Sequence, residues 1–208
     1  MNFYNDPRNP NVEYAPVLGS DPDNMGLLLL IEAIENDDAV RVRELCAGGV
    51  NVNAKLKNGV TALMVASQYG NPDIVRELCK YGANVNAKTD RRSTALMDAC
   101  RDGNLEIVEE LCSRGAHLNA TNLFGETALM LACREPHLEI VKALCVRGAS
   151  IYMKSTSGET AITMAPQAYY WDLKDIFKEC KKKKSPKRRS LSRTRKNRST
   201  RRARSLSR

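Results

Sequence analysis

Residues 59–87 read Gly-Val-Thr-Ala-Leu-Met-Val-Ala-Ser-Gln-Tyr-Gly-Asn-Pro-Asp-Ile-Val-Arg-Glu-Leu-Cys-Lys-Tyr-Gly-Ala-Asn-Val-Asn-Ala, and the parts of this stretch return along the chain. Thr-Ala-Leu-Met stands at 61–64, 94–97 and 127–130, with Thr-Ala-Ile-Thr at 160–163, each 33 residues after the last. Leu-Cys follows the same period at 45–46, 78–79, 111–112 and 144–145, as does Gly-Ala at 82–83, 115–116 and 148–149. Asn53-Ala54, Asn86-Ala87 and Asn119-Ala120 form a fourth column. Columns that share one period mark units that stack on one another, because a unit this short cannot bury its own apolar face.

Within a unit, Thr-Ala-Leu-Met-Val-Ala-Ser opens a short apolar helix, Gly70-Asn71 interrupts it, and Asp73-Ile-Val-Arg-Glu-Leu-Cys resumes with apolar positions three and four apart. Thr61, Thr94 and Thr127 stand where an N-terminal hydroxyl satisfies unpaired backbone N–H groups; Gly82, Gly115 and Gly148 stand where a helix ends in a left-handed residue. The polar stretch ending Asn58-Gly59 makes an extended loop. Leu63/Ile74/Leu78 and their equivalents Leu96/Ile107/Leu111 and Leu129/Ile140/Leu144 are expected in the core.

This pattern resembles the ankyrin repeat, most closely over Gly59–Ala87 and in outline over about residues 25–180. The resemblance implies an all-α solenoid of helix-turn-helix units joined by hairpin loops. Three full repeats (55–87, 88–120, 121–153) are expected between an N-terminal cap at 26–54 and a C-terminal cap at 154–180, preceded by an extended polar segment at 1–25. Ala62/Met64, Ala95/Met97 and Ala128/Met130 replace the family's proline and histidine, so apolar packing is expected in place of the histidine's hydrogen bonds. Arg92 replaces a glycine at one hairpin tip and Pro136 a glycine at one inter-helix turn, and both places are expected to be altered.

The formal charge of +9 is the sum of two unlike parts. Residues 181–208 hold 15 Lys and Arg and no acid, while residues 1–180 hold 18 bases against 24 acids. No apolar run is long enough to span a bilayer and the N-terminus lacks the pattern of a leader, so no membrane association is expected. Two histidines and no Cys/His cluster leave no metal site or cofactor to propose, and no convergent set of catalytic groups argues for an enzyme. Six of the seven cysteines follow the repeat and are read as small buried packing residues with unpaired thiols, suited to a reducing compartment. Cys180, beside the lysines, is the candidate for an accessible thiol.

A repeat stack leaves its loop tips and first helices to vary, and comparison of the units selects a partner-binding set. It comprises Lys57, Asn58 and Tyr69 in one unit, Asp90, Arg91, Asp98, Arg101 and Asp102 in the next, and Leu123, Phe124, Arg134 and Glu135 in the third. The same comparison also picks out Val65 and Leu131. Phe124 either anchors a protein partner from its tip or folds back on the neighbouring loop, and Tyr69 has the same two readings.

The tail cannot form a core and is expected to be disordered. Lys181, Lys182, Lys183, Lys184, Lys187, Arg188 and Arg189 have the density of a nuclear localisation signal, pointing to an importin and to nuclear and cytoplasmic residence. Its arginine–serine pairs are similar to those of splicing-related proteins, with Ser185, Ser190, Ser192, Ser199, Ser205 and Ser207 as phosphorylation candidates. Phosphorylation would cancel much of the tail's charge. The expected function is that of a monomeric, non-enzymatic adaptor with a nuclear tail. The alternative is a nucleic-acid-associated regulator whose tail binds phosphate backbones non-specifically.

Overall fold

The computed structural model describes residues 22–184, in which nine α-helices follow one another with no strand beyond an isolated Lys55–Thr61 bridge. Helices α1 (Pro22–Glu35) and α2 (Ala39–Ala47) form the first pair, and α3 (Ala62–Tyr69) and α4 (Pro72–Lys80) the second. The third pair is α5 (Ala95–Asp102) with α6 (Leu105–Ser113), the fourth α7 (Ala128–Arg134) with α8 (Leu138–Arg147), and α9 (Tyr170–Lys184) closes the stack. The division expected after residue 25 falls inside α1, and α9 runs past Cys180. Most of the expected N-terminal segment and of the basic tail lies outside the described residues.

Each helix pair is short because its turns are written into it. Asn71 accepts hydrogen bonds from Asp73 N (2.9 Å) and Ile74 N (3.2 Å), and Pro72 at the first turn of α4 gives up an N–H that would have no helical partner. The pairs then stack in two layers, α1–α3–α5–α7 and α2–α4–α6–α8–α9. The three apolar triplets read as core are each at most 1 % exposed. Met64, Met97 and Met130 are buried with them, filling the volume of the absent histidines.

The two substituted turn positions behave differently. At Pro136 the turn changes: α3 and α5 end on left-handed Gly70 (φ 87°) and Gly103 (φ 83°), whereas α7 is a residue shorter and ends on Glu135 at φ −99°. A proline ring holds φ near −65° and excludes the left-handed geometry. At Arg92, against expectation, the hairpin keeps its form: Arg92 adopts φ 62°, beside 77° at Gly59 and 71° at Gly125. Hydrogen bonds equivalent to those of its neighbours, Arg92 N to Thr89 O (2.8 Å) and Thr89 N to Ser93 O (3.0 Å), impose the strained conformation.

In the last unit the first helix is missing. Thr160–Met164 forms turns, with Thr160 N donating to Thr163 Oγ1 at 2.7 Å, and the chain becomes helical again only at a short 3-10 helix, Gln167–Tyr169, that leads into α9. Pro166 occupies the position of Ser67, Cys100 and Cys133 in the first helices, where its ring and missing N–H would break the ladder and its predecessor is disfavoured in helical geometry.

Candidate partner-binding face

The hairpin tips form a continuous backbone ladder from unit to unit. Asp90 N donates to Asn58 O (2.9 Å), Leu123 N to Arg91 O (3.0 Å) and Thr156 N to Phe124 O (2.8 Å). These bonds satisfy polar groups that a free-standing loop would leave to water, so the tips hold a fixed geometry.

The third tip is held most closely. Asn122, itself buried, accepts from both Phe124 N and Glu126 N at 2.9 Å and donates its amide to Glu126 Oε2 at 2.8 Å. Glu126 in turn pairs with Arg134, and Thr156 Oγ1 adds a second bond to Phe124 O at 3.0 Å. With the backbone secured from both sides, the side chains of Leu123 and Phe124 stand 55 % and 58 % exposed. Phe124 is therefore presented, not folded back on the next loop.

Among the other sequence-selected residues, Lys57, Asn58, Asp90, Arg91, Asp102, Arg134 and Glu135 are exposed and Arg101 is half-buried. Tyr69 is exposed but directs its hydroxyl to Glu35 Oε1 at 3.3 Å, tying α3 to α1. Asp98 departs from the expectation of a surface position, being only 9 % exposed. It shares its column with Val65 and Leu131, both buried, because α5 is enclosed between α3 and α7. Burial pushes its carboxyl up to about 6, against the pull of Arg101, whose Nη1 lies 3.1 Å away. Variation between units marks positions that do not hold the period, and this column varies while facing inward.

A family model for ankyrin repeats in three copies matches residues 11–89, 30–122 and 96–180. The chain belongs to the ankyrin-repeat family. Its fold is an all-α ankyrin solenoid, and ankyrin repeats generally mediate protein–protein interaction. No curated protein matches the chain.

Within this ankyrin stack, two sets of side-chain clamps escape a reading of the sequence. Asn53 donates to Gly82 O (2.9 Å) and accepts from Asn84 N (2.7 Å), Asn86 does the same with Gly115 O (3.1 Å) and His117 N (2.8 Å), and Asn119 accepts from Ser150 N (2.8 Å). Their role is to join successive units. The second set is the residue before the second helix of the third and fourth pairs, which reaches back to the first helix of the pair before: Asn104 Nδ2 donates to Ser67 O (3.0 Å), and His137 Nε2 lies 3.0 Å from Arg101 O. The His137 ring packs beneath Gly103, where a Cβ would come within 2.6 Å of it. The equal spacing of 71, 104 and 137 was the available signal.

Helix capping is uneven across the ankyrin units. Thr94 and Thr127 hydroxyls accept from Met97 N (3.4 Å) and Met130 N (3.3 Å), but the Thr61 hydroxyl is buried and makes no hydrogen bond. In one unit the methionine adds a hydrogen bond to its packing: Met130 Sδ accepts from Thr127 N at 3.4 Å. Of the cysteines, all are buried but half-buried Cys112, and Cys180 is enclosed against the expectation of an accessible thiol. Burial raises the Cys133 thiol to about 12 and Cys100 well above its ordinary value, keeping them protonated. No helix among the described residues is long and apolar enough to cross a membrane. Lys181 is exposed on α9 and Lys182–Lys184 continue its backbone; Lys187, Arg188, Arg189 and the six candidate serines lie outside the described residues.

Proposed function

We propose that this ankyrin solenoid is a non-enzymatic adaptor that binds a protein partner on the face built from its hairpin tips and first helices. The observation carrying this reading is the Leu123–Phe124 tip, where backbone bonds fix the loop and leave two large apolar side chains exposed. An anchor ordered in advance loses little entropy on binding, and aromatic anchors dominate interface energies. Charged residues around it, Arg91 and Asp90 on the adjacent tip and Glu135 at the end of α7, would form a polar rim. The basic tail adds a second device: its density of Lys and Arg supports recognition by an importin, nuclear as well as cytoplasmic residence, and control through phosphorylation of its serines.

Proximity labelling in cells separates the two devices. Phe124→Ala is expected to remove a defined set of labelled proteins while leaving nuclear accumulation intact, and deletion of residues 181–208 to do the converse. An unchanged labelling profile for Phe124→Ala refutes the role of the tip.

A further inference from the structure

The last helix is divided lengthwise into three strips. Leu173, Ile176, Phe177 and Cys180, three and four residues apart, are buried. Asp172, Asp175 and Glu179 gather on one exposed flank, and Trp171, Lys174, Lys178 and Lys181 on the other. An ordinary solvated helix intersperses its charges; here the acids are kept apart from the lysines.

The basic flank also carries exposed aromatic surface. Trp171 is 65 % exposed, and Tyr152, from the loop after α8, is 68 % exposed. Each ring has an ammonium group over it: Lys174 Nζ lies 4.5 Å from the Trp171 centroid and Lys181 Nζ 5.3 Å from that of Tyr152. Tyr170 meets Trp171 edge to face at 5.5 Å. Exposed rings beside lysine ammonium groups are what a nucleotide needs, since each nucleotide offers one π-face and one phosphate. The strip then leads into the acid-free segment 181–208.

We propose that this flank of α9, together with Tyr152, docks single-stranded nucleic acid. Bases stack on Trp171 and Tyr152, Lys174 and Lys181 move from the rings to the phosphates, and Lys178, on the same flank, joins them. A lipid surface fits less well, because the large aliphatic side chains of α9 are turned inward and the exposed flank offers only rings and ammonium groups. The strip lies in the second layer, on the helix that packs against α8, so it leaves the hairpin tips available to a protein partner.

Trp171 is the sole tryptophan, and its emission in the full chain reports on the site directly. Oligouridylate or oligothymidylate of about 15 nucleotides is expected to quench it saturably, with the effect reversed by salt. Inorganic polyphosphate of matched charge, which has no bases, is expected to bind without comparable quenching. By anisotropy of labelled oligonucleotide, Trp171→Ala and Tyr152→Ala should each weaken binding roughly tenfold, with circular dichroism unchanged because both rings are exposed. The proposal is overturned if polyphosphate quenches as strongly as either oligonucleotide, or if both variants bind the single strands as tightly as the parent. It is likewise overturned if phosphatidylserine-containing vesicles alone, and neither oligonucleotide, change the emission.

Discussion

Replacing Asp98 with asparagine isolates the energetic cost of a carboxylate enclosed in the middle of the stack. Burial raises its carboxyl from 3.8 to about 6; Arg101 opposes the shift, and the charge of Asp102 adds to it. Between these limits the folded chain holds a proton that the unfolded chain has released, so this group's contribution to stability falls as pH rises from about 4 to about 6 and is level above. A shift of roughly two units corresponds to about 3 kcal/mol. The assay is urea denaturation of the full chain and of Asp98→Asn at several values from about pH 4 to about pH 7, taking the difference so that other carboxylates cancel. Asparagine keeps the shape and an acceptor for Arg101 but cannot ionise, so the variant should gain on the parent by about 2 kcal/mol across that range, the remainder falling below about pH 4. A difference that does not change with pH would refute the reasoning, since it would mean that the carboxylate is as well hydrated folded as unfolded.

Arg92→Gly should raise stability by about 0.5–1 kcal/mol in the same assay, because relief of left-handed strain outweighs the added freedom of glycine when unfolded; a loss would mean that the arginine side chain compensates for its backbone. Thr61→Val should be neutral or stabilising, since its buried hydroxyl has no partner, whereas Thr127→Val should cost about 1 kcal/mol by removing a cap. Equal effects in thermal denaturation would contradict the capping difference. Asn86→Ala should cost about 1–3 kcal/mol, leaving Gly115 O and His117 N without their bridge, and should speed hydrogen exchange at the junction of the second and third units.

The period of 33 and its apolar triplets made the stack and its core legible, because positions that touch the next unit cannot vary without breaking the repeat. Phe124 was legible as a candidate, but its presentation was not, since the groups fixing it come from Asn122 and from Thr156, 32 residues on. Asp98 was misplaced for a different reason. Variation does not distinguish a surface column from a buried one that tolerates Val65, Asp98 and Leu131 alike. The clamps at Asn86 and His137 span 29 to 36 residues, beyond any local pattern, and Arg92 shows a hydrogen-bond frame overriding a residue's own preference. The lost helix before α9 was readable in Pro166, within the stretch expected to form the C-terminal cap, even though Thr160 keeps the regular spacing.

The central claim is that a protein partner occupies the hairpin-tip face. Hydrogen-exchange mass spectrometry of the full chain, alone and with the protein whose labelling Phe124→Ala abolishes, tests it most directly. Protection is expected in the peptides spanning residues 57–59, 90–92 and 122–126, with little change in α4, α6 and α8. Protection confined to those second-layer helices, with the tips exchanging as in the chain alone, would contradict the claim.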